Sequence, residues 1–293
     1  MPEVAGPQQQ DARKKPKVEP KDLADPRLRD EHQGADWGYA KSGLDPKNKL
    51  FSNGVRATDV AQGAVADCYF VAALSGVAAE NPNLVKSGIV DNGDNTYKVR
   101  FFTKKNYYDT NYEQTWVTID GDMPSQQGRT DLRYAKGEQL KSGGREFWPG
   151  IYEKAWAQLK GGYNVIGEGG STAEAIEALS GKRVSYMSTD TTPDDMLWTK
   201  LVNASKNDQV MAAGTRGKED EAIYQGTNLY AWHAYTILGA YEKGRGNDKK
   251  RFVKLRNPWG RVEPGQDGKD DGVFELPFAD FKKFYQNVNI AGL

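Results

Sequence analysis

The 293-residue chain has one cysteine, Cys68, and two histidines, His32 and His233. So few residues exclude an intramolecular disulfide and a Cys/His zinc cluster, but they can still form a nucleophile and its base. Cys68 opens the apolar run Cys68-Tyr69-Phe70-Val71-Ala72-Ala73-Leu74, preceded by Asp67 and closed by Asn81-Pro82. This pattern predicts a buried helix with Asp67 as N-cap and Cys68 in the first turn. The positive helix end favours a thiolate there, and a neighbouring imidazolium would lower the thiol pKa further, to roughly 3 to 4 in the most polarised pairs. His233 precedes the apolar strand Ala234 to Leu238, and a second strand, Phe252 to Leu255, follows the turn-rich Gly244-Arg245-Gly246-Asn247-Asp248. A hairpin centred on Arg245 sets His233 opposite Asn257, whose amide can hold the imidazole in one tautomer. Pro258 keeps Asn257 extended, and Trp259 is large enough to keep water off that hydrogen bond. Gln62, in a Gly-flanked loop six residues before Cys68, could join the Cys68 N–H in holding an oxyanion. Taken singly, Cys68 reads as a small core residue and His233 as a structural strand histidine. Only their combination with Asn257 points to acyl chemistry.

Those residues need a scaffold. Lys plus Arg and Asp plus Glu each total 40, so no net field draws the chain to nucleic acid or anionic lipid. No apolar run approaches the roughly 20 residues of a membrane span, and Met1 to Gln10 lacks a signal-peptide core, which predicts a cytoplasmic chain, with a monomer favoured. Residues 1–35 carry few large apolar side chains and the basic run Arg13-Lys14-Lys15-Pro16-Lys17. They are expected to form a disordered tail or linker, with His32 a spare, exposed histidine at its edge. Strands are predicted over Tyr97 to Phe102 and Thr115 to Asp120. Trp148, Ile151, Tyr152, Ala155, Trp156 and Leu159 mark one face of a helix over about 146–159. Ser171 and Glu174 form a capping box for a helix closed by Gly181, and Pro193 opens another. Strands follow over about 209–213, 233–241, 251–256 and 273–276, and the phenylalanines at 278, 281 and 284 suggest a last short helix. Helices dominate before Gly181 and strands after it, which predicts an α+β chain in two lobes, 36–181 and 182–293.

The order Cys, then His 165 residues on, then Asn 24 further, follows papain-like thiol proteases, with a first separation slightly above the usual ~130 to 150. The strings themselves are more specific. Gln62-Gly63-Ala64-Val65-Ala66-Asp67-Cys68-Tyr69, His233-Ala234-Tyr235 and Arg256-Asn257-Pro258-Trp259-Gly260 closely resemble the three catalytic blocks of the calpain protease core. Glu146-Phe147-Trp148, Glu153-Lys154-Ala155 and Asp271-Gly272-Val273-Phe274 resemble further family segments. The likeness runs from about residue 37 to the C-terminus.

The resemblance implies a papain-like fold, with a helical N-terminal subdomain, a β-rich C-terminal one and the active site between them. It makes Cys68 the nucleophile, His233 the base and then acid, Asn257 the orienter of His233 and Gln62 the side-chain oxyanion donor. Trp259 matches a tryptophan that shields the His–Asn pair and can wedge into the cleft of the inactive core, and Gly170 a glycine where substrate backbone approaches. Ser52, Gly54, Asp59 and Glu146 stand where the family holds a first calcium ion, a donor set of carbonyls and carboxylates that suits a hard cation. The alternative for the two acids is plain pairing with Arg56 or Arg145. At the second family calcium site Asp271 matches, but Val273 replaces a carboxylate, so that site is expected to be lost. Ala66 and Tyr69 replace a glycine and a tryptophan beside the cysteine. Trp232 replaces a glycine before the histidine and would narrow the cleft. The implied function is a cysteine endopeptidase acting on proteins or peptides, with calcium at one site. Its rivals are a catalytically silent binding module on the same scaffold and a transglutaminase-type acyl transferase, which normally has Asp as third member.

Overall fold

The computed structural model describes residues 19–106, 109–127, 129, 132–265 and 268–292. In chain order the elements are β1 (Trp37–Ala40), α1 (Cys68–Glu80), α2 (Pro82–Ser87), β2 (Ile89–Asp91), β3 (Thr96–Thr103), β4 (Glu113–Asp120), β5 (Met123–Gln126) and α3 (Trp148–Lys160). They continue with α4 (Tyr163–Ile166), α5 (Thr172–Ser180), β6 (Val184–Ser188), α6 (Asp194–Lys206), β7 (Met211–Thr215), β8 (Ala234–Lys243), β9 (Lys250–Arg256), β10 (Val273–Pro277), α7 (Phe278–Phe284) and β11 (Tyr285–Ala291). The mixture is α+β. No helix of the described residues is long and apolar enough to cross a membrane.

Two apolar cores form. The first gathers around α1, α3 and α5, against the antiparallel sheet β2-β3-β4. Because α1 has no polar face, Tyr69 to Ala78 are all buried, and the helix runs through the interior rather than along the surface. The second core lies between α6, α7 and a six-stranded antiparallel sheet of order β10-β9-β8-β7-β11-β6. Helix α1 spans the gap between the two cores. Thr236 on β8 donates its hydroxyl to Ala72 O at 2.7 Å, and Val210, Ala212, Ala234 and Ala291 join the first core. Gly181 ends α5 at φ +66°, a left-handed C-cap suited to glycine, and the chain then enters the large sheet.

Several sequence expectations change. Pro193 is the residue before α6 rather than its first residue. Strand β11 is unanticipated, yet it sits between β7 and β6. The tail assignment fails for residues 19–35, whereas its residues 1–18, including the basic run, lie outside the described residues. Lys21 N donates to Asp94 O at 2.9 Å and Leu23 N to an Asp120 carboxylate at 2.6 Å. Asp25 pairs with the buried Lys154 at 2.5 Å, and Tyr163 N donates to Arg27 O at 2.8 Å. Polar pairing to the core, together with burial of Leu28 in it, orders this segment. His32 is no spare side chain either, since it stacks on Trp37 with ring centroids 4.0 Å apart and its Nδ1 lies 2.8 Å from the Tyr134 hydroxyl.

Candidate active site

Gln62, Cys68, Gly170, Trp232, His233 and Trp259 line one cleft of about 780 Å³. Asn257, fully buried, lies behind His233. Strands β8 and β9 pair as anticipated, but the ladder ends with Thr236 opposite Arg256, and a bulge falls between Ile237 and Gly239. His233 and Asn257 therefore stand just beyond the ladder, and their side chains close the gap, with His233 Nε2 3.1 Å from Asn257 Oδ1. Two further contacts fix which amide atom faces the ring. Asn257 Nδ2 donates to Val262 O at 2.9 Å, while Oδ1 accepts from Trp259 N at 3.1 Å. A carbonyl only accepts and a backbone N–H only donates, so Oδ1 must face the imidazole. The imidazole then carries its proton on Nε2 and leaves the Nδ1 lone pair free. Val262, a β-branched residue at φ +60°, bears the backbone strain of aiming that carbonyl. Trp259 packs over His233 at a centroid distance of 4.9 Å and against Tyr230 at 4.5 Å.

Charge in the cleft departs from expectation. Burial pushes the Cys68 thiol up to about 11, outweighing the backbone N–H groups of Ala234, Tyr69 and Cys68 that favour the thiolate. Burial likewise pulls His233 down to about 4, against the stabilising bond to Asn257. Burial of both groups thus works against the thiolate–imidazolium pair anticipated from the helix start. Alkylation of Cys68 by iodoacetamide should accordingly rise about tenfold per pH unit from neutral pH towards pH 10, because thiolate forms only as the solution nears the raised pKa. A rate plateau beginning near pH 4 would show an ion pair instead.

Asp67 occupies the N-cap position of α1 but makes no capping bond. Its carboxyl turns inward against Glu153 and the Gln62 amide, and burial raises it to about 7. Glu153, equally buried and beside a like charge, is raised well above the usual carboxylate range. Gln62 lines the cleft, but its Nε2 is engaged in donating to Val65 O at 2.6 Å. Gly170 faces the Tyr69 ring so closely that a Cβ there would meet it at 2.5 Å, which requires glycine whatever binds in the cleft. The Tyr69 hydroxyl in turn accepts from Trp156 Nε1 at 3.1 Å.

Asp59 and Glu146 are both buried and come together with Glu138, one carboxylate oxygen of each lying within 4.8 Å of the others. Arg56 bonds Asp59 at 3.0 Å and Glu138 at 2.6 Å, so the pairing alternative holds for Asp59. It does not hold for Glu146, since Arg145 donates to Gly137 O instead, at 3.2 Å. Glu146 accepts from the Ser52 N–H through Oε1 and leaves Oε2 buried without a partner. Gly54, at φ +93°, closes the same loop with open space beside it. An orphaned carboxylate oxygen among hard oxygen donors fits a cation of the calcium type. Glu138 was not found from the sequence; its signal is the turn-rich stretch that folds it back to accept the Glu146 N–H at 3.0 Å. Asp271 instead accepts from the Val273 N–H at 3.0 Å.

Arg256 was also missed. It is buried and reaches from β9 into the first core, donating to Val60 O at 2.7 Å and Thr58 O at 3.4 Å. The residue next to Asn257 thereby grips the segment that carries Asp59.

A lone thiol at a helix start and an asparagine-held histidine on one cleft of an α+β chain are features of the cysteine-peptidase class. The chain belongs to the calpain family of cysteine proteases, whose family model matches residues 17–266. It is 26% identical over 274 residues to the calpain-2 catalytic subunit of Gallus gallus, covering 84% of this chain and 37% of that protein. It is also 26% identical over 294 residues to calpain-8 of Mus musculus, covering 90% and 39%, and 25% identical over 276 residues to calpain-9 of the same species, covering 84% and 38%. The chain thus spans under two fifths of the length of these relatives.

Proposed function

We propose that the chain is a calpain-like cysteine endopeptidase with a Cys68–His233–Asn257 triad on a papain-like fold, its subdomains spanning 36–181 and 182–293. The observation that carries this reading is the imidazole tautomer, which Asn257 fixes so that the free Nδ1 lone pair can take a proton from the thiol. In the reaction the Cys68 S–H proton passes to His233 Nδ1 as sulfur bonds to the peptide carbonyl carbon. The oxyanion is held by the Cys68 N–H and by Gln62, once its amide leaves Val65 O. His233 returns the proton to the leaving amine, and a water then splits the acyl-enzyme with His233 as base. Asn257 keeps the ring from rotating, and Trp259 shields that bond from water.

Asp59, Glu138 and Glu146, with carbonyl oxygens of the Ser52 to Gly54 loop, would hold a calcium ion. When bound, the ion supplies positive charge that draws these carboxylates together. Arg256 bonds the carbonyls on either side of Asp59 and is the sequence neighbour of Asn257, which links this loop to the triad. The test is a calcium titration of hydrolysis of a denatured protein substrate by wild-type and Glu146→Gln protein. Half-maximal activity is expected between micromolar and millimolar calcium, about the range of oxygen-ligand sites, and Glu146→Gln should lose most of the response. Full activity in excess chelator would refute an essential ion.

A second reading, a catalytically silent binding module, is favoured by Gln62 donating inward to Val65 O. It requires that an epoxide thiol inhibitor form no adduct on Cys68 with or without calcium. The protease reading requires an adduct.

A further inference from the structure

The two most exposed of the large apolar side chains left open to solvent among the described residues are Trp232, 65% exposed, and Tyr186, 63% exposed. Both line the cleft that holds Cys68 and His233. Aromatic side chains open to solvent on the wall of a concave cleft are suited to cover an apolar ligand group. Tyr186 reaches the cleft from β6, the edge strand of the large sheet.

Trp232 also lies at φ +52°, a left-handed conformation that a bulky side chain adopts only at a cost. The surrounding bonds impose it. Trp232 N donates to Arg216 O at 2.7 Å, Thr215 N donates to His233 O at 2.9 Å, and His233 N donates to Thr215 Oγ1 at 2.9 Å. Glycine would relieve the strain, so the chain carries a tryptophan where its backbone favours the smallest residue. The Lys218 ammonium lies 4.6 Å from the ring centroid and steadies one face of the indole.

We propose that Trp232 is a specificity-determining residue which, together with Tyr186, seats a large apolar or aromatic side chain on one of the two substrate residues flanking the scissile bond. Two observations support the placement: Trp232 directly precedes the histidine, about 3.8 Å along the backbone, and its side chain lines the same cleft as Cys68 and His233. The inference rests on the protease reading and names the substrate class of that site.

The experiment uses peptides of one sequence that vary only at the two positions flanking the cleaved bond, with wild-type, Trp232→Gly and Tyr186→Ala protein. Wild-type protein is expected to favour Phe or Leu over Ala at one of those positions. That ratio of kcat/KM values should fall about tenfold or more in Trp232→Gly, the scale set by apolar contacts in a specificity pocket, and fall in Tyr186→Ala as well. Trp232→Gly removes strain, so its melting temperature should be unchanged or higher, and misfolding would not explain the loss. Cleavage with the same preference in all three proteins overturns the inference and leaves the protease reading intact. If wild-type protein with calcium cleaves nothing, the protease reading fails, and peptide affinities for Cys68→Ala protein and its Trp232→Gly derivative decide the inference separately. Equal affinities for the Phe and Ala peptides overturn it, whereas a Phe preference that Trp232→Gly abolishes sustains it.

Discussion

Cys68→Ala protein is expected to hydrolyse a denatured protein substrate at background level, a loss of roughly five to six orders of magnitude in kcat by analogy with removal of other hydrolase nucleophiles. The chain has no second thiol, and hydroxyl nucleophiles elsewhere lack the His233 lone pair. Replacing His233 by Ala should cost nearly as much, and the double variant little more, because in the proposed triad nucleophile and base act as one unit. Binding of peptide to the cleft should persist, since the alanine side chain fits the space of the thiol. Undiminished cleavage by Cys68→Ala, measured with mass-spectrometric product analysis to exclude a contaminant, would remove Cys68 from the chemistry.

Lys154→Ala is expected to destabilise the fold by about 3 to 5 kcal/mol, the usual cost of leaving a buried charge without its partner. The Lys154 ammonium is almost fully buried, pairs with Asp120 and Asp25 at 2.5 Å each, and donates to Asp122 O at 2.7 Å. Asp120 has no exposure of its own. Without the cation, nothing opposes the effect of burial on Asp25, so the penalty depends on pH. Burial already raises Asp25 to about 6, with Lys154 opposing the rise. A carboxyl whose folded pKa lies above its unfolded value binds more protons in the native state, and this contribution to stability declines as pH rises towards the folded pKa. Losing Lys154 raises that folded pKa further. The melting temperature of Lys154→Ala, compared with wild type, should therefore fall more at pH 8 than at pH 5. The same variant should free residues 19–29 to limited proteolysis. An equal, small loss at both pH values would show that the cluster is not electrostatically coupled.

Local periodicity carried much of the fold. The apolar run behind Cys68, the aromatic face of α3, the Ser171 cap and Gly181 terminator of α5, and the strands β3 and β4 all depend on near neighbours in sequence. Strand β11 escaped because Asn287 and Asn289 weaken its strand propensity, and its partners β6 and β7 lie about 70 or more residues away in the chain. The order of residues 19–35 escaped for a related reason. It comes from Asp94, Asp120 and Lys154, and composition cannot report a partner so far along the chain. Glu138 and Arg256 were illegible as site residues because each acts on a loop brought near only by folding.

Residue identity and order by themselves determined which thiol and which imidazole were available, that Cys68 begins a buried helix, and that Asn257 returns to His233 through a hairpin. Those are consequences of local steric and apolar patterning. The tertiary structure alone decided how far each group is buried, which raises the thiol and lowers the imidazole against the backbone N–H groups and Asn257. It also decided that Asp67 faces Glu153 rather than capping its helix, that Gln62 donates inward, and that Glu146 keeps an unpartnered oxygen beside Asp59 and Glu138. Desolvation and long-range charge depend on what surrounds a group in three dimensions, and no local pattern in the chain encodes that.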